Sequence, residues 1–151
     1  MLVVPWSDEI VRGRNAVIRH LVQTGRMPSH SQLAGDLSLS EAATRSVLRQ
    51  MHDVHAVLLG GQDQIRMLWP FSDLPTPFQV TVGDRSYWAN CAWDSLGIPA
   101  ALHTDAVIRA AFADSPGEAL ITVKDGKVSP GHYLVHFPHP VRRWYDDLVY
   151  T

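Results

Sequence analysis

The stretch Arg85-Ser86-Tyr87-Trp88-Ala89-Asn90-Cys91-Ala92-Trp93-Asp94-Ser95-Leu96-Gly97-Ile98-Pro99-Ala100 combines the chain's only cysteine with a strand-to-helix transition. Arg85-Ser86-Tyr87 reads as the return strand of a hairpin, because Phe78-Gln79-Val80-Thr81-Val82 alternates ahead of it and Gly83-Asp84 turns the chain between them. Trp88 to Leu96 then reads as a helix stopped by Gly97 and Pro99. On such a helix Cys91 and Asp94, three residues apart, share one face and address a common small ligand. A thiolate is the preferred ligand of a soft metal, and a neighbouring carboxyl can hold or deliver a proton. The same two residues also suit a packed cysteine beside a solvated acid. Tyr87, Trp88 and Trp93 flank the pair and would either wall off a small apolar group or serve as core.

Downstream, Val107 to Ala110, Ala119 to Val123 and Tyr133 to Phe137 read as strands, separated by turns at Asp114 to Gly117 and Lys124 to Lys127. A last helix is predicted from Val141 to about Val149. On the third strand His132 and His136 lie four apart, so they face the same way and can converge on a ligand, or be hydrogen-bonded structural histidines.

Upstream, Ser7 to about Gly25 carries apolar residues at helical spacing behind a Ser-Asp-Glu start. Ser29 to Leu37 reads as a short helix. Ser38 and Glu41 have capping-box spacing for a third, ending near His52, with Ala43, Val47, Leu48 and Met51 as its buried stripe. Two apolar stretches, Ala56 to Leu59 and Ile65 to Trp69, flank Gly60 to Asp63 as a hairpin. Three helices and a hairpin form a winged-helix-like pattern, and Phe71 to Pro77, rich in turn formers, reads as a linker. The expected organisation is a helical unit over residues 1–74 and an α+β unit over 75–151, its sheet mixed or antiparallel.

The 151 residues are 46% hydrophobic and 19% charged, with a formal charge of -2, which fits a globular protein with a real core. No apolar run suits a membrane span and the first residues do not form a signal peptide, so a cytoplasmic location is expected. One cysteine excludes an intramolecular disulfide. Up to Pro70 there are seven Lys/Arg against six Asp/Glu, and beyond it six against nine. Neither half has the positive surface on which duplex affinity rests. The winged-helix pattern still defines an alternative, a DNA-binding regulator reading a groove with Thr44, Arg45 and Arg49 on the exposed face of the third helix.

The quoted stretch resembles the signature of the organomercurial (alkylmercury) lyases, in which a strand ending in an aromatic enters a helix bearing Cys-Ala-x-Asp and a following Pro-Ala. Val135-His136-Phe137, the later Trp144 and the helical region ahead of the catalytic unit extend the likeness over most of the chain. In that family two thiolates capture mercury and an aspartate helps protonate the carbon. The resemblance therefore implies Cys91 as thiolate and Asp94 as proton carrier, acting on an organometal or other small molecule. The second cysteine's place is held by His132. Mercury(II) favours two soft, nearly linear thiolates, so a borderline imidazole weakens capture. Three readings follow: an external small thiol supplies the second sulfur; Cys91 with His132 or His136 binds another metal such as copper, a relative of the lyase fold being a copper carrier; or the scaffold runs a different reaction with Cys91 as nucleophile and Asp94 or a histidine as base. No resident cofactor is required by the first.

Overall fold

A computed structural model describes residues 6–137, 139, 140 and 143. The helix expected over 141–149, with Trp144, lies outside the described residues.

Three helices come first: α1 (Asp8–Thr24), α2 (His30–Leu37) and α3 (Glu41–Asp53). Each begins at a serine whose hydroxyl accepts an otherwise orphaned backbone N–H: Ser7 from Ile10, Ser29 from Gln32 and Ser40 from Ala43. The capping box forms at Ser29 and Gln32, not at Ser38 and Glu41. Ser38 instead closes α2 in the left-handed region and its backbone N–H bonds back to Ala34 and Gly35. The strongest apolar stripe of α3 is Thr44, Val47, Leu48 and Met51, all buried. Gly13 permits the α1–α3 crossing, since a Cβ there would stand 2.9 Å from Met51 Sδ.

One antiparallel sheet takes the strands, β1 (Leu58–Leu59), β2 (Ile65–Leu68), β3 (Phe71–Ser72), β4 (Phe78–Val82), β5 (Arg85–Ala89), β6 (Ala106–Ala111), β7 (Glu118–Lys124) and β8 (Lys127–Val128), and a fourth helix follows β5. The strands lie in the order β1-β2-β3-β5-β4-β6-β7-β8. The segment read as a linker contributes a strand to it: Phe71 pairs with Leu68 on one side and with Ala89 on the other. The hairpin behind α3 thus runs directly into the larger sheet. Its turn holds a short 3-10 segment, Gly61–Asp63.

The core runs through the whole molecule, from Val17, Leu33 and Leu48 of the helices to Leu68, Phe71, Val80, Tyr87, Ile98 and Ile108. Two long-range bonds pin α1 to the sheet: Arg14 donates to the Trp69 carbonyl at 2.6 Å, and Arg85 of β5 to the Val22 carbonyl. The architecture is α+β, as expected.

The strand expected from Tyr133 to Phe137 is not formed. Its residues alternate suitably, but they are exposed and bonded to no ladder, and Leu134 is 98% exposed. The sheet ends instead on β8, within what reads as a turn after Lys124. No helix among the described residues is long and apolar enough to cross a membrane.

Candidate active site

Cys91 is not inside a helix but at its cap. Strand β5 continues through Trp88 and Ala89, where Trp88 pairs with Gln79. Cys91 keeps extended angles (φ -148, ψ 178), and α4 (Ala92–Leu102) starts after it. Cys91 and Asp94 are therefore cap and third helical residue, a spacing that brings cap side chain and N3 together as surely as two positions on one helical face. The Asp94 backbone N–H donates to Cys91 Sγ at 3.4 Å. Sulfur is a weak acceptor, and Ser, Thr, Asp or Asn serve far better at this position. Capping alone does not explain a cysteine here.

Gly97 and Pro99 do not stop α4, which closes only at His103 in the left-handed region. A side chain at 97 would meet Pro70, with Cβ to Cβ at 3.2 Å, so glycine lets α4 lie against the β2–β3 turn. Asn90 joins the same contact, its backbone N–H donating to the Pro70 carbonyl at 3.3 Å. The helix packs on β4, β5 and β6, with Ile98 and Pro99 buried and the Ser95 hydroxyl, also buried, bonded to the Ala92 carbonyl at 2.6 Å.

Cys91 and Asp94 are both half-buried, and this governs their protonation. Desolvation of the thiolate pushes Cys91 up to about 11; backbone donors at Asp94 and Trp93 act against the shift, and the Asp94 charge adds to it. Cys91 thus holds its proton at neutral pH. Asp94 is also raised by burial, while Asn90 and Cys91 both favour its charged form. Burial thus disfavours the charged form of both groups, which stand at the same helix start with the Asp94 backbone N–H on the Cys91 sulfur.

This sets a pH dependence. With its pKa moved from 9.0 to about 11, Cys91 carries about a hundredfold less thiolate at pH 8 than an ordinary cysteine. Its alkylation by iodoacetamide should be correspondingly slow, and should climb about tenfold per pH unit until the thiol titrates near 11. A rate that levels off below pH 9 would contradict the buried environment.

The other expected site residues separate. Tyr87 is buried, edge-on to Phe71 at 5.5 Å between ring centroids, and serves the core. Together with Trp88 it lines a cleft of about 370 Å³ between the end of α1 and β3; Cys91 is not among its lining residues. Trp93 lies in the first turn of α4 with 61% of its surface exposed. His132 and His136 stand on exposed chain after β8 and make no hydrogen bond among the described residues. No cluster of three or more metal-ligating side chains occurs among the described residues.

On α3, Thr44 is fully buried and its hydroxyl donates to the Ser40 carbonyl, so it is not on an exposed face. The helical spacing Thr44, Val47, Leu48, Met51 carried that information. Arg49 is bound to Asp63 through two hydrogen bonds, at 2.8 and 3.2 Å, and Arg45 lies 3.9 Å from the same carboxylate. The arginines of the supposed recognition helix are engaged by the hairpin turn.

Asn90 was not evident from the sequence. Both polar atoms of its carboxamide are buried without a hydrogen-bond partner among the described residues. The same carboxamide favours the charged form of the Asp94 carboxyl, against the effect of burial.

The structure thus combines a strand-cap-helix unit bearing a thiol and a carboxyl with an antiparallel sheet behind three helices. Residues 71–151, just over half of the chain, match the alkylmercury lyase family (MerB), and the chain belongs to it. Among solved structures, the crystal structure of the mercury-bound form of MerB2 is similar with a TM-score of 0.67 at 21% identity. The match covers 85% of this chain and 61% of that one, so the chain spans less than two thirds of the length of that relative. No curated protein matches by sequence.

Proposed function

We propose that this protein cleaves carbon–mercury bonds by protonolysis, with Cys91 taking up the mercury and Asp94 carrying the proton. The observation that supports this most is the pairing of a protonated, half-buried thiol with a carboxyl at the head of α4. Mercury binding to sulfur displaces the thiol proton, and Asp94, three residues on, receives it and passes it to carbon. The substrate is an organomercurial, R–Hg–X, with X the thiolate of a small external thiol. The Cys91 S–H and the C–Hg bonds break, and the S–Hg and C–H bonds form. The C–Hg electron pair stays on carbon to take the proton, and mercury remains mercury(II), held by Cys91 and X. One protein thiol balances the reaction.

A single cysteine makes the external thiol part of the chemistry, because two sulfurs are needed for linear mercury(II). His132, the residue in the second cysteine's place, lies on exposed chain after β8, and the second sulfur comes from the external thiol.

The test is incubation with phenylmercury and excess small thiol, with benzene measured in the headspace. Benzene should appear in proportion to protein and depend on the thiol. Release no faster than in thiol alone would remove the proposal. For the regulator alternative, the engaged arginines and near-neutral helical half favour no duplex binding.

A further inference from the structure

We propose that Phe112 and Tyr133 form the subsite for the organic group of the substrate, and that the group they select is an aromatic ring carried on mercury. The inference rests on the function proposed above and names a substrate class within it. The placement follows from the sheet register. Gln79 of β4 is flanked by Trp88 of β5 on one side and by Arg109 of β6 on the other. Cys91 is three residues beyond Trp88, and Phe112 is three beyond Arg109, after strands that run the same way. The two residues therefore leave the same end of the sheet at the same level. Two-residue alternation turns both toward the face on which α4 packs. One strand lies between them, so their backbones stand about 10 Å apart.

Phe112 is held in place by the β6–β7 turn, where its backbone N–H donates to the Gly117 carbonyl at 3.1 Å. The chain after β8 brings Tyr133 against it: the ring centroids are 6.3 Å apart and the planes are tilted by 34°. Gly131 permits this, because a Cβ there would stand 2.5 Å from Tyr133 Cε2, and the ring folds back over bare backbone. Both residues nevertheless remain exposed, so their rings add little to the core. Apolar surface left open beside a reactive group suits an apolar ligand. Two rings tilted toward each other, and not closed into a stack, offer faces and edges to a third ring, the contacts that aromatic groups prefer. Mercury bound to Cys91 extends its organic group beyond the sulfur, and an aryl group reaches further across the gap to Phe112 than a methyl group does.

The experiment measures benzene released from phenylmercury and methane released from methylmercury, each with excess small thiol, in the parent and in Phe112→Ala/Tyr133→Ala. The ratio of kcat/KM for phenylmercury to that for methylmercury should fall about tenfold in the variant, chiefly through a higher KM for phenylmercury. An unchanged ratio would overturn the subsite, whatever becomes of the two rates separately. Should the alanine variant not fold, Phe112→Leu/Tyr133→Leu keeps the apolar bulk without the aromatic faces, and the ratio should still fall, by about threefold; an unchanged ratio there overturns the subsite equally. If the parent releases neither product, the function proposed above fails, and a second readout decides on the subsite. The ring proton signals of Phe112 and Tyr133 should move on addition of phenylmercury and move less with methylmercury, and equal movement, or none, would reject the assignment.

Discussion

Replacing Cys91 by serine should leave the melting temperature within about 2 °C of the parent and lower benzene release from phenylmercury by roughly a thousandfold or more. The two halves of this result have separate causes. Serine is among the best residues at a helix cap, so the introduced hydroxyl would accept the Asp94 N–H at least as well as the thiol now does at 3.4 Å. The site is half-buried and polar on one side, so a smaller oxygen neither opens a large cavity nor strands a charge. Chemically the change is severe, because a hydroxyl is a hard, weakly acidic group with little affinity for mercury(II). A variant that unfolds would leave packing as the reason for Cys91, and one that still releases benzene would remove the sulfur from the mechanism.

Phe71→Ala is the substitution expected to cost the most stability, about 3–5 kcal/mol in chemical denaturation. Phe71 is fully buried, lies edge-on to Tyr87 and bridges β2 to β5 through its pairs with Leu68 and Ala89. Truncation removes the ring from the middle of the sheet, where the strands on both sides are fixed by their own ladders and cannot collapse into the space. The loss falls one strand from the Cys91 cap, so activity should fall with stability. A cost below about 1.5 kcal/mol would mean that the gap closes by repacking.

Much of this was written in local sequence. Alternation in Phe78–Val82 and in residues 119–123 fixes two strands because period-two burial is a property of the chain itself. Serines 7 and 29 announced their helices for a similar reason. The site was legible as a spacing, Cys91 to Asp94, although the three-residue offset arises from a cap and not from a helical face. Short-range signals failed where the deciding partner is distant. Gly97 looks like a helix breaker until Pro70 is seen against it. Tyr133–Phe137 has strand composition, but a strand also needs an edge to join. Asn90 is recognisable only from what surrounds its amide, which no neighbour in sequence reveals.

The continuous sheet bears on how this protein can be divided. A cut between residues 74 and 75, which the turn-rich sequence invites, would separate β3 from β5 and leave the backbone groups of the strand that leads to the thiol open along one side. A bare edge of that kind recruits other chains. The helical half therefore shields the chemistry of the other half from self-association, and a catalytic fragment made without it would be prone to precipitate before it could be assayed.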